Sequence, residues 1–276
     1  MLITGGRTGI DFFQSLLDSH TQISQFPGSF YYDEFWEKSS LINNLEDIAK
    51  MFINDYKFYF DSKHNKEERH HMLGEDKNSF YTVNKDLFIK YFAELMQNKT
   101  LNQKDLLFSL HLAYSKASGE DLSKKKIVIV NIHHYFRLKS FEDLDFEVVY
   151  TIRDPLANLT SIINHDKYRD KPSLIPWTLF FHIKRILYGL NEVISSKKKI
   201  HVIKLENLHI DNKKVMKAFC SIFDINFNET MTKSTYHGEK WWGDQISGKL
   251  LDGVNPKFKN KIDENLFYKK DITILE

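Results

Sequence analysis

The sequence predicts an α/β fold: a parallel sheet of about five strands flanked by helices, with a mainly helical insertion at about 30–125, in a single domain over 1–276. Three observations lead there. Strand-like segments recur at Leu2–Thr4, Ile23–Phe26, Ile127–Ile132, Phe146–Ile152 and Ile200–Leu205, and the continuous β-branched runs at 127–132 and 146–152 suit strands buried on both faces of a parallel sheet. Apolar residues at helical spacing fill the intervals, and strands alternating with helices imply parallel pairing through right-handed crossovers. Only 5 Pro and 11 Gly interrupt the chain, so regular elements dominate.

Taken in order, Leu2–Thr4 runs into Gly5-Gly6 and reads as a buried strand entering a tight turn. Ile10, Phe13, Leu17 and His20 then predict a helix over Ile10–Ser19. Ile23–Phe26 fits a short strand before Pro27-Gly28. The stripe Leu87, Phe88, Tyr91, Phe92, Leu95, Met96 and the stripe Leu106, Leu107, Leu110, His111, Tyr114 each predict a helix, while the polar stretch 61–78 reads as an exposed loop. After the strands at 127–132 and 146–152, Asp154-Pro155 opens a helix, with Asp as N-cap and Pro at the first helical position. A long helix is expected over Pro172–Ser195. Another carries Val215, Met216, Phe219, Cys220 and Phe223, and the tail beyond Thr230 reads as irregular.

Composition narrows the function. The 276 residues carry 39 Lys plus Arg against 37 Asp plus Glu, a net charge of +2, which argues against a dedicated nucleic-acid binder. A single cysteine, Cys220, rules out an intrachain disulfide and a Cys-based metal site. There is no signal-peptide pattern, and the longest apolar stretch, Leu174–Leu190, is broken by His182, Lys184 and Arg185. The expectation is a cytoplasmic protein with no membrane partner.

Two stretches carry chemistry. Gly5-Gly6-Arg7-Thr8-Gly9 joins the first strand to its helix. Such a loop aims backbone N–H groups at an anion, helped by the helix dipole, or it simply tightens the turn. It lacks the Gly-Lys-Ser/Thr ending of a nucleotide-hydrolysing P-loop, which weighs against a kinase or NTPase. In Val148–Ile162, a strand delivers Arg153 to its C-terminal end, where open α/β sheets bind ligands. Ser161 follows eight residues later, and the pair reads as a second phosphate clamp or as a structural Arg with a solvated Ser.

Together the two stretches resemble the sulfotransferases that use 3′-phosphoadenosine-5′-phosphosulfate (PAPS). Gly6-Arg7-Thr8-Gly9-Ile10-Asp11-Phe12-Phe13, then Leu16-Leu17-Asp18-Ser19-His20, is similar to the family's P-R-S-G-T-T-L-L and L-L-D-x-H. Arg153 with Ser161 is similar to its Arg-Asp-Pro and following Ser. Lys204-Leu205-Glu206-Asn207-Leu208 and Trp241-Trp242-Gly243-Asp244 are weaker likenesses. The resemblance implies a P-loop-like sulfotransferase architecture. It implies that Gly6, Arg7, Thr8, Gly9, Ile10, Asp11 and Phe12 line the 5′-phosphosulfate loop and adenine side, with Arg7 beside the bridging oxygen, while Arg153 and Ser161 grip the 3′-phosphate. It implies PAPS as donor, 3′,5′-adenosine bisphosphate (PAP) as product, no metal, and a small-molecule or carbohydrate acceptor. Ile10 and Asp11 stand where the family has Thr-Thr.

Sulfuryl transfer needs positioning, a cation for the departing phosphate and a base for the acceptor. Arg7 is the expected cation. For the base, His133 exits the strand at 127–132 and precedes Arg153 by twenty residues, which resembles the family's Lys-Thr-His, with Asn131 in place of the Lys. A neutral imidazole suits that work near pH 7. Strand alternation predicts that His134 points away from His133. Glu34, after the second strand, is the other candidate base. Phe30-Tyr31-Tyr32 and Phe58-Tyr59-Phe60 either line an acceptor pocket or belong to the core. A catalytically inactive PAP-binding or interaction protein is the remaining alternative, favoured by Ile10, Asp11 and Asn131.

Overall fold

Five segments pair in parallel in a computed structural model that describes residues 2–4, 6–195, 197–245, 249–269 and 272–273. They are β1 (Leu2–Thr4), β2 (Ile23–Ser29), β3 (Ile127–His133), β4 (Val148–Ile152) and β5 (Ile200–Lys204), ordered β2-β3-β1-β4-β5. The chain leaves β1 for the β2 side of the sheet and later crosses to the β4 side. The strand order therefore reverses around β1, and such reversals open a crevice at the strands' C-terminal ends. Val128, Ile129, Val130 and Ile132 of β3 and Val148 and Val149 of β4 are buried, as continuous β-branched runs require.

Helices cover the sheet. α1 (Ile10–Leu16) follows β1; α2 (Tyr32–Ser39), α3 (Leu45–Asp55), α4 (Lys57–Phe60), α5 (Lys85–Met96) and α6 (Gln103–Ala117) lie between β2 and β3. α7 (Pro155–Ile163), α8 (Asp166–Arg169) and α9 (Ile175–Ser195) separate β4 from β5, and α10 (Leu205–Ile210) and α11 (Asn212–Ile222) follow. Side-chain oxygens of Asn44, Asn84, Asn102 and Asp154 accept from the first-turn N–H groups of α3, α5, α6 and α7, filling donors the helix itself leaves orphaned. Among the described residues no helix is long and apolar enough to cross a membrane.

The segment 30–125 earns its place through aromatic packing. Phe26 of β2 stacks on Tyr59 at 5.1 Å and lies 4.0 Å from the His111 ring of α6. Phe30 and Phe52 pack on it, and Phe60 and Phe88 pack in turn on Phe52, all fully buried. Each such ring contributes about 1.5–3 kcal/mol of burial. Phe30, Tyr32, Tyr59 and Phe60 are therefore core, and neither aromatic run reaches the large cavity described below.

Several boundaries differ from the sequence reading. The first helix stops at Leu16, and β2 runs through Pro27-Gly28 to Ser29. The polar stretch 61–78 is not an exposed loop. His70 and Leu73 are fully buried, His70 Nδ1 pairs with the Tyr81 hydroxyl, and Trp241 Nε1 donates to the Glu68 carbonyl at 2.6 Å. The apolar surface that folds it arrives from the hairpin β6 (Thr235–Tyr236) and β7 (Glu239–Lys240), which places Tyr236 4.1 Å from the His70 ring. Burial drives the His70 pKa down to about 3, so the ring is neutral and serves as packing.

Candidate functional site

A cavity of about 680 Å³ opens at the C-terminal ends of β3, β4 and β5, beside the loop from β1 to α1. Gly6, Arg7 and Thr8 form one wall, and Gly5 lies outside the described residues. Arg7 holds φ 61, a left-handed conformation that costs a non-glycine residue on the order of 1–3 kcal/mol. Gly9, the N-cap of α1, sits at φ 82, and a Cβ there would lie 2.4 Å from Leu205 Cδ1. Gly9 is thus the hinge that lets α1 pack on α10, and it does not line the cavity. Gly9→Ala should cost roughly 1–3 kcal/mol, read as a lowered Tm; an unchanged melt would refute the requirement.

The other expected donor contacts divide. Thr8 lines the cavity, its hydroxyl 2.6 Å from that of Thr151 in β4. Arg153 lines it too, with Nε donating to Asn260 Oδ1 at 3.3 Å. Burial foremost, with repulsion from Arg7, pulls the Arg153 pKa below its usual value against the attraction of Glu206. Ile10, Asp11 and Phe12 do not line the cavity. Ile10 is in the core, and Phe12 stacks on His209 at 4.3 Å, so the ring expected beside an adenine is already covered. Ser161 does not line it either. α7 starts at Pro155 and presents Pro155, Asn158 and Ile162, the i, i+3, i+7 face, which leaves Ser161 to one side.

Glu34 is displaced from the role of base. Arg137 is 8% exposed, and a cation buried that deeply demands counter-charge. It takes both Asp33 oxygens, at 2.5 and 2.6 Å, and Glu34 Oε1 at 2.5 Å. Glu34 is held outside the cavity by that network.

His133 does line the cavity, at the end of β3. Its Nε2 donates to Asp11 Oδ1 at 2.9 Å, and Asn131 Nδ2 donates to the same oxygen at 3.1 Å. Asn131 also donates to Gln14 Oε1 at 2.8 Å. The Asp11 carboxylate is therefore turned to a histidine and an amide, and it does not line the cavity. With Nε2–H spoken for, Nδ1 is the basic nitrogen of the neutral ring. Burial pushes the His133 pKa down, but the Asp11 charge and hydrogen bond outweigh it and the net shift is upward. Burial correspondingly favours a neutral Asp11, yet His133 above all holds it below the usual carboxylate range.

His134 lines the same cavity, contrary to strict alternation. β3 bulges where Ile3 pairs with Asn131 and Thr4 with His133, and His133 takes φ 54. That kink brings two successive rings to one side. Burial, then the cations Arg185, His133 and Arg137, take His134 down to a pKa of about 3.

Charges behind the loop are dense. Asp11, Glu68 and Asp244 bring carboxylate oxygens within 4.8 Å of one another, and Arg7 Nη1 lies 3.5 Å from Asp244 Oδ2. Burial, then Asp11 and Asp244, raise Glu68 well above the usual carboxylate range. Arg7 is thus largely a counter-ion to its own surroundings.

Several cavity residues escaped the sequence reading. Asn158, 4% exposed, donates to the Gly6 carbonyl at 3.4 Å, while its Oδ1 has no partner among the described residues. Among the described residues Glu206 Oε2 and Arg7 Nε are also buried without partners. Buried polar atoms are almost always satisfied, so these three are open to a polar ligand or to water in the cavity. The spacing from the Pro155 cap could have found Asn158. Nothing local signals Arg185 of α9, which also lines the cavity.

No protein-family model matches the chain, and no curated protein matches it. Among solved structures it is similar to a sulfotransferase domain from the curacin biosynthetic pathway, at 16% identity and a TM-score of 0.45 over 96% of this chain and 87% of that one. It is also similar to a sulfotransferase domain from the Synechococcus PCC 7002 olefin synthase, at 11% identity and a TM-score of 0.45 over 99% and 91%. Likenesses that distant leave function to be argued from the site.

Proposed function

We propose that the chain transfers a sulfuryl group from PAPS to a hydroxyl or amine of a small-molecule or carbohydrate acceptor, releasing PAP. The observation that carries this is the cavity at the sheet switch point, lined by two cations, Arg7 on the β1–α1 loop and Arg153 at the end of β4, by three buried polar atoms without partners among the described residues, and by a carboxylate-oriented histidine. A polar nucleoside that carries two anionic groups would engage one cation with each. Gly6, Arg7 and Thr8 would hold the 5′-phosphosulfate; Arg153 would hold the 3′-phosphate. Asn158 Oδ1, an acceptor, and Glu206 Oε2 suit hydroxyl or amino groups between them. The donor brings the reactive sulfur–oxygen bond; the chain supplies position, charge and a base.

In the transfer, the acceptor oxygen gives its proton to His133 Nδ1 and attacks sulfur. The bond from sulfur to the 5′-phosphate oxygen breaks, and its electron pair leaves with PAP. Asp11 stabilises the imidazolium that results, as a carboxylate does for any general-base histidine.

PAP should stabilise the protein more than ADP does at equal concentration, because the two differ in where a phosphate sits. A ligand at ~100 times its Kd adds ~2.7 kcal/mol. Thermal shifts read the difference, and Arg153→Ala should erase most of it. Equal shifts for PAP and ADP in the wild type would sink the donor assignment.

A further inference from the structure

We propose that Arg185, on the helix opposite the glycine loop, is the principal anion-binding cation of this site, with Arg7 in a supporting role. The inference rests on the donor reading only for the identity of the anion. Three observations support it. The Arg185 guanidinium lies against the loop, its Nη2 3.4 Å from where a Cβ on Gly6 would stand, so an anion held by the loop at Gly6 would lie beside it. Among the described residues it forms no ion pair; its hydrogen-bond partner is His134, whose Nδ1 accepts from Nη2. By contrast, Arg7 faces Asp244 at 3.5 Å, with Asp11 and Glu68 behind it. An anion entering beside Gly6 therefore meets one compensated cation and one uncompensated cation, and the second attracts it more strongly.

The chain also builds a mount for Arg185. His134 is neutral at physiological pH and offers a lone pair, which fixes the guanidinium without cancelling its charge. The Tyr135 hydroxyl donates to the Arg185 carbonyl at 2.5 Å, and its ring packs where any side chain at Gly189 would collide, 2.3 Å from a Cβ. The bulge that turns His133 and His134 to one side thus gives each a different task. Asn131 of β3 brings no charge to the cavity, because its amide is consumed by Asp11 and Gln14.

Inorganic pyrophosphate carries the charge without a nucleoside and is the first probe, titrated calorimetrically into the full chain. Arg185→Gln should weaken its binding by about tenfold or more, Arg185→Lys should recover most of it, and Arg7→Gln should weaken it by less than about threefold. Arg185→Met, which keeps the apolar stem, serves if Arg185→Gln does not fold. An Arg7→Gln loss equal to or larger than that of Arg185, or no binding by the wild type, would overturn the inference. Titration of PAP and ADP into the wild type separates the two readings. Preference for ADP with the pyrophosphate result intact would remove the donor assignment and leave Arg185 as the anion-binding cation.

Discussion

His133→Ala should slow turnover by ~10²–10⁴ and leave PAP affinity nearly unchanged, the signature of a lost general base. The split follows from geometry. The ring sits at the exit of β3, while the anion-binding groups sit on the β1–α1 loop, at the end of β4 and on α9, so removing the ring strips the proton acceptor and little of the donor grip. Its environment is tuned for the work: the Asp11 carboxylate holds Nε2–H, fixing the tautomer and leaving Nδ1 basic. Because the net shift of the His133 pKa is upward, the rate should fall on acidification from a midpoint above 6.5. Rates measured from pH 5 to 9 on any acceptor that turns over would test this. A variant as active as the wild type would assign the proton to another group, and a variant that loses PAP affinity in proportion to rate would make His133 a binding residue instead.

How far the sequence reaches depends on how local each signal is. The unit Leu2–Leu16 is readable because an apolar run, a glycine turn and helical spacing lie side by side. The Asp154-Pro155 cap is readable for the same reason, and Asp154 Oδ1 does accept from Ala157 N at 2.8 Å. Partnerships across the chain are not readable. Asp11 and His133 lie 122 residues apart, and no pattern around either announces the pair. Glu34 looks like a free carboxylate near a strand end until Arg137, 103 residues on, claims it. Ser161 is eight residues from Arg153, which suggests two helical turns; the helix phase is set instead by its start at Pro155. The stretch 61–78 is polar by composition, yet it folds because Tyr236 and Trp241 bring the surface it lacks. Arg185 sits in an amphipathic helix whose inward face only the neighbouring elements decide.

Asp11→Asn should cost almost as much activity as the loss of the histidine, ~10² or more, although it removes one charge and almost no volume. An amide at this position can turn its NH₂ toward Nε2. The proton of the neutral ring then moves to Nδ1, where the proton from the acceptor has to go, and the base is blocked without leaving the site. Loss of the carboxylate also removes the main force that raises the His133 pKa, so burial prevails and any remaining activity should hold to lower pH than in the wild type. The same pair sets a pH window for stability. Asp11, lowered from 3.8, contributes above that pH and loses its contribution as pH falls through its folded value. His133, raised from 6.5, contributes fully below 6.5 and loses its contribution as pH rises through its folded value. The wild type should therefore exceed Asp11→Asn in Tm most clearly between about pH 4 and 6.5, with the gap narrowing on both sides. A rate loss with an unmoved acid limb would show that Asp11 acts through packing and not through His133. A Tm gap that keeps widening above pH 7 would place the charge coupling elsewhere, with Arg7, 3.5 Å from Asp244 and sharing the same carboxylate cluster, the first residue to substitute.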